Sequence, residues 1–334
     1  MRKPLIALGF ALLAAVLVLA GAPTAHAQAT TTLEDLVSAV VRVKAFINPD
    51  GRTIATLGRE REGTGVVISA DGLVITIGYL MLEAHAVEIA TSDGHTVSAN
   101  VVGYDHETGF GLLKAATPLK VRPMGLGKSA DLKEKDPVLV ASFGGPDMVS
   151  AAHVAARREF AGSWEYLLEG AIFTSPPHPA WSGAALISRE GKLVGVGSLI
   201  VGDATGRKDG TPGNMFVPID RLPPIMAELM SDGRVSGPAK PWLGLTTEES
   251  GGQLLVARVI PGGPAEKAGI ERGSIVVGVD GKPAKGLADF YRKVWARGAA
   301  GTSIPLDVMQ GEKKRRVDVK SMDRMHHLKM KSTF

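Results

Sequence analysis

The sequence contains no cysteine, which excludes disulfides and thiol redox chemistry. It also lacks a dominant charge. Lys and Arg number 38 against 34 Asp and Glu, a formal +4, and two of those positive charges, Arg2 and Lys3, sit at the extreme N-terminus. Such a balance gives no electrostatic footprint for nucleic acid. No internal repeat is visible. The pair His326-His327 has no further ligand at metal-binding spacing, so neither a metal nor another cofactor is expected.

What the chain does carry is glycine and proline, 41 and 20 of its 334 residues, with 45% apolar residues. That mixture favours a turn-rich β architecture with a full core, and the length allows two domains plus extensions. Residues 1–27 read as a secretory signal: a charged start, an apolar stretch from Leu5 to Ala20, and Ala25-His26-Ala27 for cleavage before Gln28. An exported chain without cysteine fits a periplasmic or secreted location. The alternative is an inner-membrane anchor formed by an uncleaved signal, since the apolar run approaches spanning length. Beyond it, a helix is expected over Thr31 to Ala39, with Leu33, Leu36 and Val37 at helical spacing. Short strands separated by Gly, Pro and Asp follow: Val40 to Val43, Gly65 to Ile68, Leu73 to Thr76, Ala86 to Ala90, Val97 to Val102, Gly111 to Lys114, Val138 to Ser142, Ala171 to Thr174 and Leu193 to Gly197. Their number and spacing predict an all-β barrel or sandwich.

Several runs resemble the HtrA/Deg family of trypsin-like serine proteases. Glu62-Gly63-Thr64-Gly65 through Ile75-Thr76 is similar to the family's opening block. Gly109-Phe110-Gly111-Leu112-Leu113-Lys114 and Gly213-Asn214-Met215-Phe216-Val217-Pro218-Ile219 are similar to later ones, and a helix from Arg221 to Met230 fits as well. Trp242-Leu243-Gly244-Leu245, Gly262-Gly263-Pro264-Ala265 and Gly273-Ser274-Ile275-Val276 resemble an HtrA-type PDZ domain. The resemblance implies a chymotrypsin-like double β-barrel over 28–235, a stiff linker over 236–241, one small α+β PDZ domain over 242–322, and a polar, basic, mobile tail over 323–334.

The same resemblance locates a catalytic site and its losses. Ser182 stands at the nucleophile position. Tyr79 stands where the family has its His, and Gly109 where it has its Asp. Ala180 replaces the Gly that frees the oxyanion-hole backbone. A serine hydroxyl needs a base within hydrogen-bond reach, and that base needs an acid to fix its tautomer. A neutral phenol with a pKa near ~10 is no such base at neutral pH. Among the other histidines of this region, His85, His95, His106, His153 and His178, His85 is expected on the surface and His106 in a turn. His178, nearest to Ser182, lies on the wrong side of it for a base. Trp181 either covers the cleft or packs between the barrels.

The PDZ-like segment shows no comparable loss. By resemblance, the backbone N–H groups of the Trp242–Leu245 loop hold a peptide's terminal carboxylate, with Leu243 and Leu245 lining the pocket made possible by Gly244. An amphipathic helix from Leu287 to Ala296 supplies the far wall through Leu287, Phe290 and Val294, with Tyr291 on the same face. The chain's own end, Ser332-Thr333-Phe334, has the form of a PDZ ligand. The expectation is an exported pseudoprotease that binds unfolded proteins or peptide C-termini, in a chaperone-like or regulatory role. The alternatives are an active endopeptidase with an unconventional base, or a non-catalytic subunit that regulates an active paralogue. A homo-oligomer, a trimer by resemblance, is a possible assembly.

Overall fold

The computed structural model describes residues 32–330; the expected leader and the last four residues lie outside this range. Helix α1 (Leu33–Ser38) opens on Thr32, whose hydroxyl accepts the Asp35 N–H while the Asp35 carboxylate takes the Thr32 N–H, a reciprocal cap. After it come β1 (Val40–Ile47), a single turn α2 (Ile54–Leu57), β2 (Glu60–Val67), β3 (Leu73–Ile77), β4 (Ala84–Ala90), β5 (Thr96–Tyr104) and β6 (Phe110–Ala115). They close a barrel in the order β1-β2-β3-β6-β5-β4. A second barrel follows from β7 (Pro137–Ala141), β8 (Val149–Gly162), β9 (Tyr166–Ser175), β10 (Ala185–Ile187), β11 (Leu193–Val201) and β12 (Gly213–Pro218), in the order β10-β11-β12-β9-β8-β7.

Strand β3 shows why the barrels sit together. All five of its residues are buried, and its period of two divides them between two destinations. Leu73, Ile75 and Ile77 face a core shared with Phe173, Leu193, Val196 and Val217 of the second barrel. Val74 faces the first barrel's interior with Val41, Val43 and Leu113. On the Val74 face Thr76 is also buried, its hydroxyl bonded to the Thr64 carbonyl at 2.6 Å, so neither face of the strand meets water.

Helix α3 (Pro223–Asp232) leaves the second barrel and stops at Gly233, φ 69°. It starts two residues later than expected, because Arg221 closes a preceding 3-10 turn. The remaining sheet is built from β13 (Leu245–Ser250), β14 (Gln253–Val259), β15 (Ile275–Val279), β17 (Ser303–Gln310) and β18 (Lys313–Lys320), with β16 (Lys282–Pro283) paired to β15. Helices α4 (Pro264–Lys267) and α5 (Leu287–Trp295) accompany it. The expected apolar face of α5 is real: Leu287, Phe290, Tyr291 and Val294 are all buried.

Three features depart from expectation. The 14-residue strand β8 is absent from the sequence reading, and its hairpin with β9 turns out to matter most. The segment 236–241, read as a plain linker, is tied down: Lys240 pairs with Glu107 at 2.9 Å and lies 4.5 Å over the Trp295 ring. The described part of the tail, read as mobile, is packed through residue 330. Within and just past α6 (Arg324–His327), Met325, Leu328 and Met330 sit against the first barrel's core. The Lys329 N–H donates to Glu83 and the Lys329 carbonyl accepts from Asn48. Three apolar side chains gain burial there, and that offsets the polarity of their neighbours.

Candidate functional site

Ser182 sits in the turn between β9 and β10, and Tyr79 in the 3-10 turn that follows β3. The turn at Ser182 is fixed by its neighbours. Its carbonyl accepts the Thr64 N–H at 2.8 Å. Gly183 has φ 76°, and a Cβ there would lie 1.9 Å from the Thr64 carbonyl oxygen, so only glycine fits. The Tyr79 carbonyl in turn accepts from the buried Arg61 guanidinium at 2.7 Å.

The two side chains meet. Tyr79 Oη lies 2.8 Å from Ser182 Oγ and 2.8 Å from the carbonyl oxygen of Ser198. A carbonyl only accepts, so the phenol's single proton goes to Ser198. Ser182 must then donate its own proton to Tyr79 Oη. That is the direction activation uses, but the acceptor is a neutral phenol oxygen, too weak a base to take the proton. Burial pushes its pKa up to about 12, against the smaller opposing pull of the Ser182 hydrogen bond. Around neutral pH it stays a phenol.

The Gly109 position holds no acid. Gly109 has φ 82°, and a Cβ there would stand 3.5 Å from Tyr166 Oη. That hydroxyl donates to the Thr108 carbonyl at 2.7 Å. Asp105, four residues earlier, spends its carboxylate on the N–H and hydroxyl of Thr108 and the N–H of Glu107. His178 is buried and turned to the second barrel. The Ser142 hydroxyl donates to the Ala180 carbonyl at 2.5 Å, so it accepts from His178 Nε2 at 2.9 Å, and His178 Nδ1 takes the Ser150 hydroxyl at 3.0 Å. Burial lowers the His178 pKa and both nitrogens are committed. His85 is exposed, as expected, and so are His95 and His153. His106 is in its turn but buried, between Tyr104 and Arg324, with its pKa driven well down by burial and by that guanidinium. A cleft of about 290 Å³ remains beside Ser182, bordered by Arg42, Phe143, Ala180 and Trp181; Trp181 lines it and is half-buried.

Tyr79→Phe removes both hydroxyl bonds and leaves the Ser198 carbonyl and the Ser182 hydroxyl short of a partner. A loss of about 1–2 kcal/mol is expected, read as a lower urea midpoint at unchanged slope.

The second expected site is occupied from within the chain. The N–H groups of Leu243, Gly244 and Leu245 do hold a carboxylate, at 2.8, 2.8 and 2.9 Å, and it is the side chain of Glu165. Glu165 lies in the tip between β8 and β9, is buried, and has φ 60°. Leu243 and Leu245, expected to line an open pocket, are buried with Leu287, Phe290 and Val294 in the core of this sheet, and Ala161 and Leu167 of the hairpin pack against that core. Trp242 packs on His327, ring centres 4.8 Å apart. Neither Glu165 nor Ser198 drew attention in the sequence. Among the described residues no cluster of His, Asp and Glu has metal-binding geometry.

Residues 63–196 match the trypsin-like peptidase domain family and residues 241–321 the PDZ domain family. A probable periplasmic serine endoprotease DegP-like of Ectopseudomonas mendocina (strain ymp) is 29% identical over 283 residues, 78% of this chain and 57% of that protein. The serine protease PepD of Mycobacterium tuberculosis (strain ATCC 25618 / H37Rv) is 30% identical over 293 residues, 80% of this chain and 62% of that protein. The chain thus spans somewhat over half the length of these relatives. The HtrA-type protease AlgW with decapeptide shares the fold at TM-score 0.50 and 21% identity, covering 88% of this chain and 99% of its own. A variant of AlgW with tripeptide does so at TM-score 0.52 and 20% identity, covering 88% and 97%. A trypsin-like barrel pair followed by one PDZ sheet, with relatives of this kind, places the chain in the HtrA family.

Proposed function

We propose that this HtrA-family chain has given up proteolysis and acts as an exported, periplasmic binder of unfolded proteins or peptide C-termini, in a chaperone-like or regulatory role. The observation that carries the first half is the 2.8 Å contact between Tyr79 Oη and Ser182 Oγ, with the phenol's own proton on the Ser198 carbonyl. Nucleophilic catalysis by serine needs a group that removes the hydroxyl proton as the bond to the carbonyl carbon forms. Tyr79 stands where the family's His would be, and Gly109 where its Asp would be, so neither proton acceptor nor orienting acid is in reach. The second half is supported by the loop Trp242–Leu245, whose three N–H groups converge on one carboxylate, the geometry a peptide terminus requires. The periplasmic assignment is supported by the leader-like residues 1–27 and by the DegP-like relatives' own description.

The test is direct. Purified protein treated with a fluorophosphonate probe, and separately with casein, is expected to match its Ser182→Ala variant in labelling and in cleavage rate. Serine-dependent labelling, or casein turnover that vanishes in the variant, would replace this reading with that of an active endopeptidase.

A further inference from the structure

We propose that the tip of the β8–β9 hairpin is an internal ligand of the PDZ groove, Glu165 taking the seat of a peptide's terminal carboxylate, so that a C-terminal peptide binds only by displacing it. The inference rests on the reading of that groove as a peptide site and adds what controls access to it.

The contacts imitate a bound terminus feature by feature. Both Glu165 carboxylate oxygens are held, Oε2 by the Leu243 N–H and Oε1 by the N–H groups of Gly244 and Leu245. Two residues back along the hairpin, the Ser163 carbonyl accepts the Thr247 N–H of β13 at 2.8 Å. This is main-chain pairing along the strand edge that an added peptide strand would use. On the helix side, the Tyr291 hydroxyl of α5 donates to the Gly162 carbonyl at 2.7 Å. The hairpin therefore sits between β13 and α5.

The arrangement has the marks of a held, costly state. A carboxylate buried away from water is unfavourable unless fully hydrogen-bonded, and Glu165 adopts a left-handed backbone, φ 60°, which side chains avoid. Each cost is recovered only while the tip is seated. Beyond the loop, the hairpin is held by an ion pair between Glu159 and Arg292 on the surface, a 3.3 Å bond from Arg324 to the Trp164 carbonyl, and the packing of Ala161 and Leu167 against the PDZ core. An incoming terminal carboxylate offers the loop the same acceptor without the backbone strain. Displacement then exchanges like for like.

The probe is a fluorescein-labelled decapeptide pool randomised at its last three positions, with a free terminal carboxylate, and a C-terminally amidated pool as control. Fluorescence anisotropy is expected to give at least about tenfold tighter binding of the free-acid pool to Glu165→Ala than to the unaltered protein, because the competent state is no longer the minor one. The amidated pool should bind neither. Glu165→Gln, of the same size, serves if the alanine variant folds poorly, and should lie between the two. Equal affinity for the free-acid pool in unaltered and variant proteins overturns the proposal. If neither protein binds the pool, the peptide-binding reading fails, and amide hydrogen exchange then judges the seat by itself. Faster exchange at Leu243, Gly244 and Leu245 in Glu165→Ala upholds the internal ligand; unchanged exchange overturns it.

Discussion

Tyr79→His combined with Gly109→Asp leaves casein cleavage at the Ser182→Ala background, although a working triad member is worth as much as ~10⁶ in turnover in the best-studied protease of this chemistry. The reason lies at the second position. Gly109 has φ 82°, and even Asp, which tolerates the left-handed region better than most residues, pays strain there. The new carboxyl would arise beside Tyr166 Oη, 3.5 Å from its Cβ, in a loop where the buried Asp105 already holds the local donors. Two carboxyls sharing a buried site raise each other's affinity for protons. A neutral acid does not stabilise an imidazolium. Adding Ala180→Gly does not rescue the pair, because the Ala180 carbonyl stays fastened to Ser142, which His178 holds from behind. Casein turnover by the double or triple variant at ~10³ over the Ser182→Ala rate would show that the surrounding geometry had kept its competence.

The case for lost chemistry was legible because it rests on residue types at fixed offsets: Tyr79 after Thr76, Gly109 before Leu112-Leu113-Lys114, Ala180 before Ser182. What took its place was not. The bond from Tyr79 to the Ser198 carbonyl joins residues 119 apart, and it depends on a register shift in β11 between Gly197 and Leu199. Nothing local announces it. His178 illustrates the same limit: its nearness to Ser182 in sequence says nothing of direction, and packing turned it toward Ser142 and Ser150.

Strand β8 was hidden for a different reason. It is rich in alanine and carries Arg157, Arg158 and Glu159 in its middle, so it shows neither β-branched enrichment nor alternation. The barrel uses those charges structurally. Arg157 donates to the carbonyls of Ser129, Ala130 and Leu132, and the Arg158 guanidinium lies 3.9 Å over the Phe173 ring. By contrast, β3 and α5 announced themselves, β3 as a short apolar run and α5 by apolar residues at helical spacing. The tail did carry a signal: Met325, Leu328 and Met330 among basic residues, which a reading by charge alone passed over. Glu165 had one faint mark, a Trp-Glu pair in a hairpin tip where turn residues would be ordinary.

Peptide affinity is expected to climb between pH 5.5 and pH 8, by on the order of thirtyfold, and Glu165 sets the sign. Burial pushes its carboxyl up to about 7, against the three N–H bonds and the Arg324 charge that pull it down. Released into water it returns to ~4.3. The seated tip therefore binds a proton more tightly than the free tip. That advantage is complete below the free value and is lost as pH rises through about 7. The incoming peptide's carboxylate, at ~3.3–3.7, is ionised throughout. Of the buried groups packed around the tip, burial holds His106 neutral and Tyr291 protonated. Glu165→Gln removes that titration, so its anisotropy profile with the same free-acid pool should be flat. A profile of the unaltered protein that is equally flat, or that falls as pH rises, would mean the carboxylate in the loop is not the one a peptide must replace.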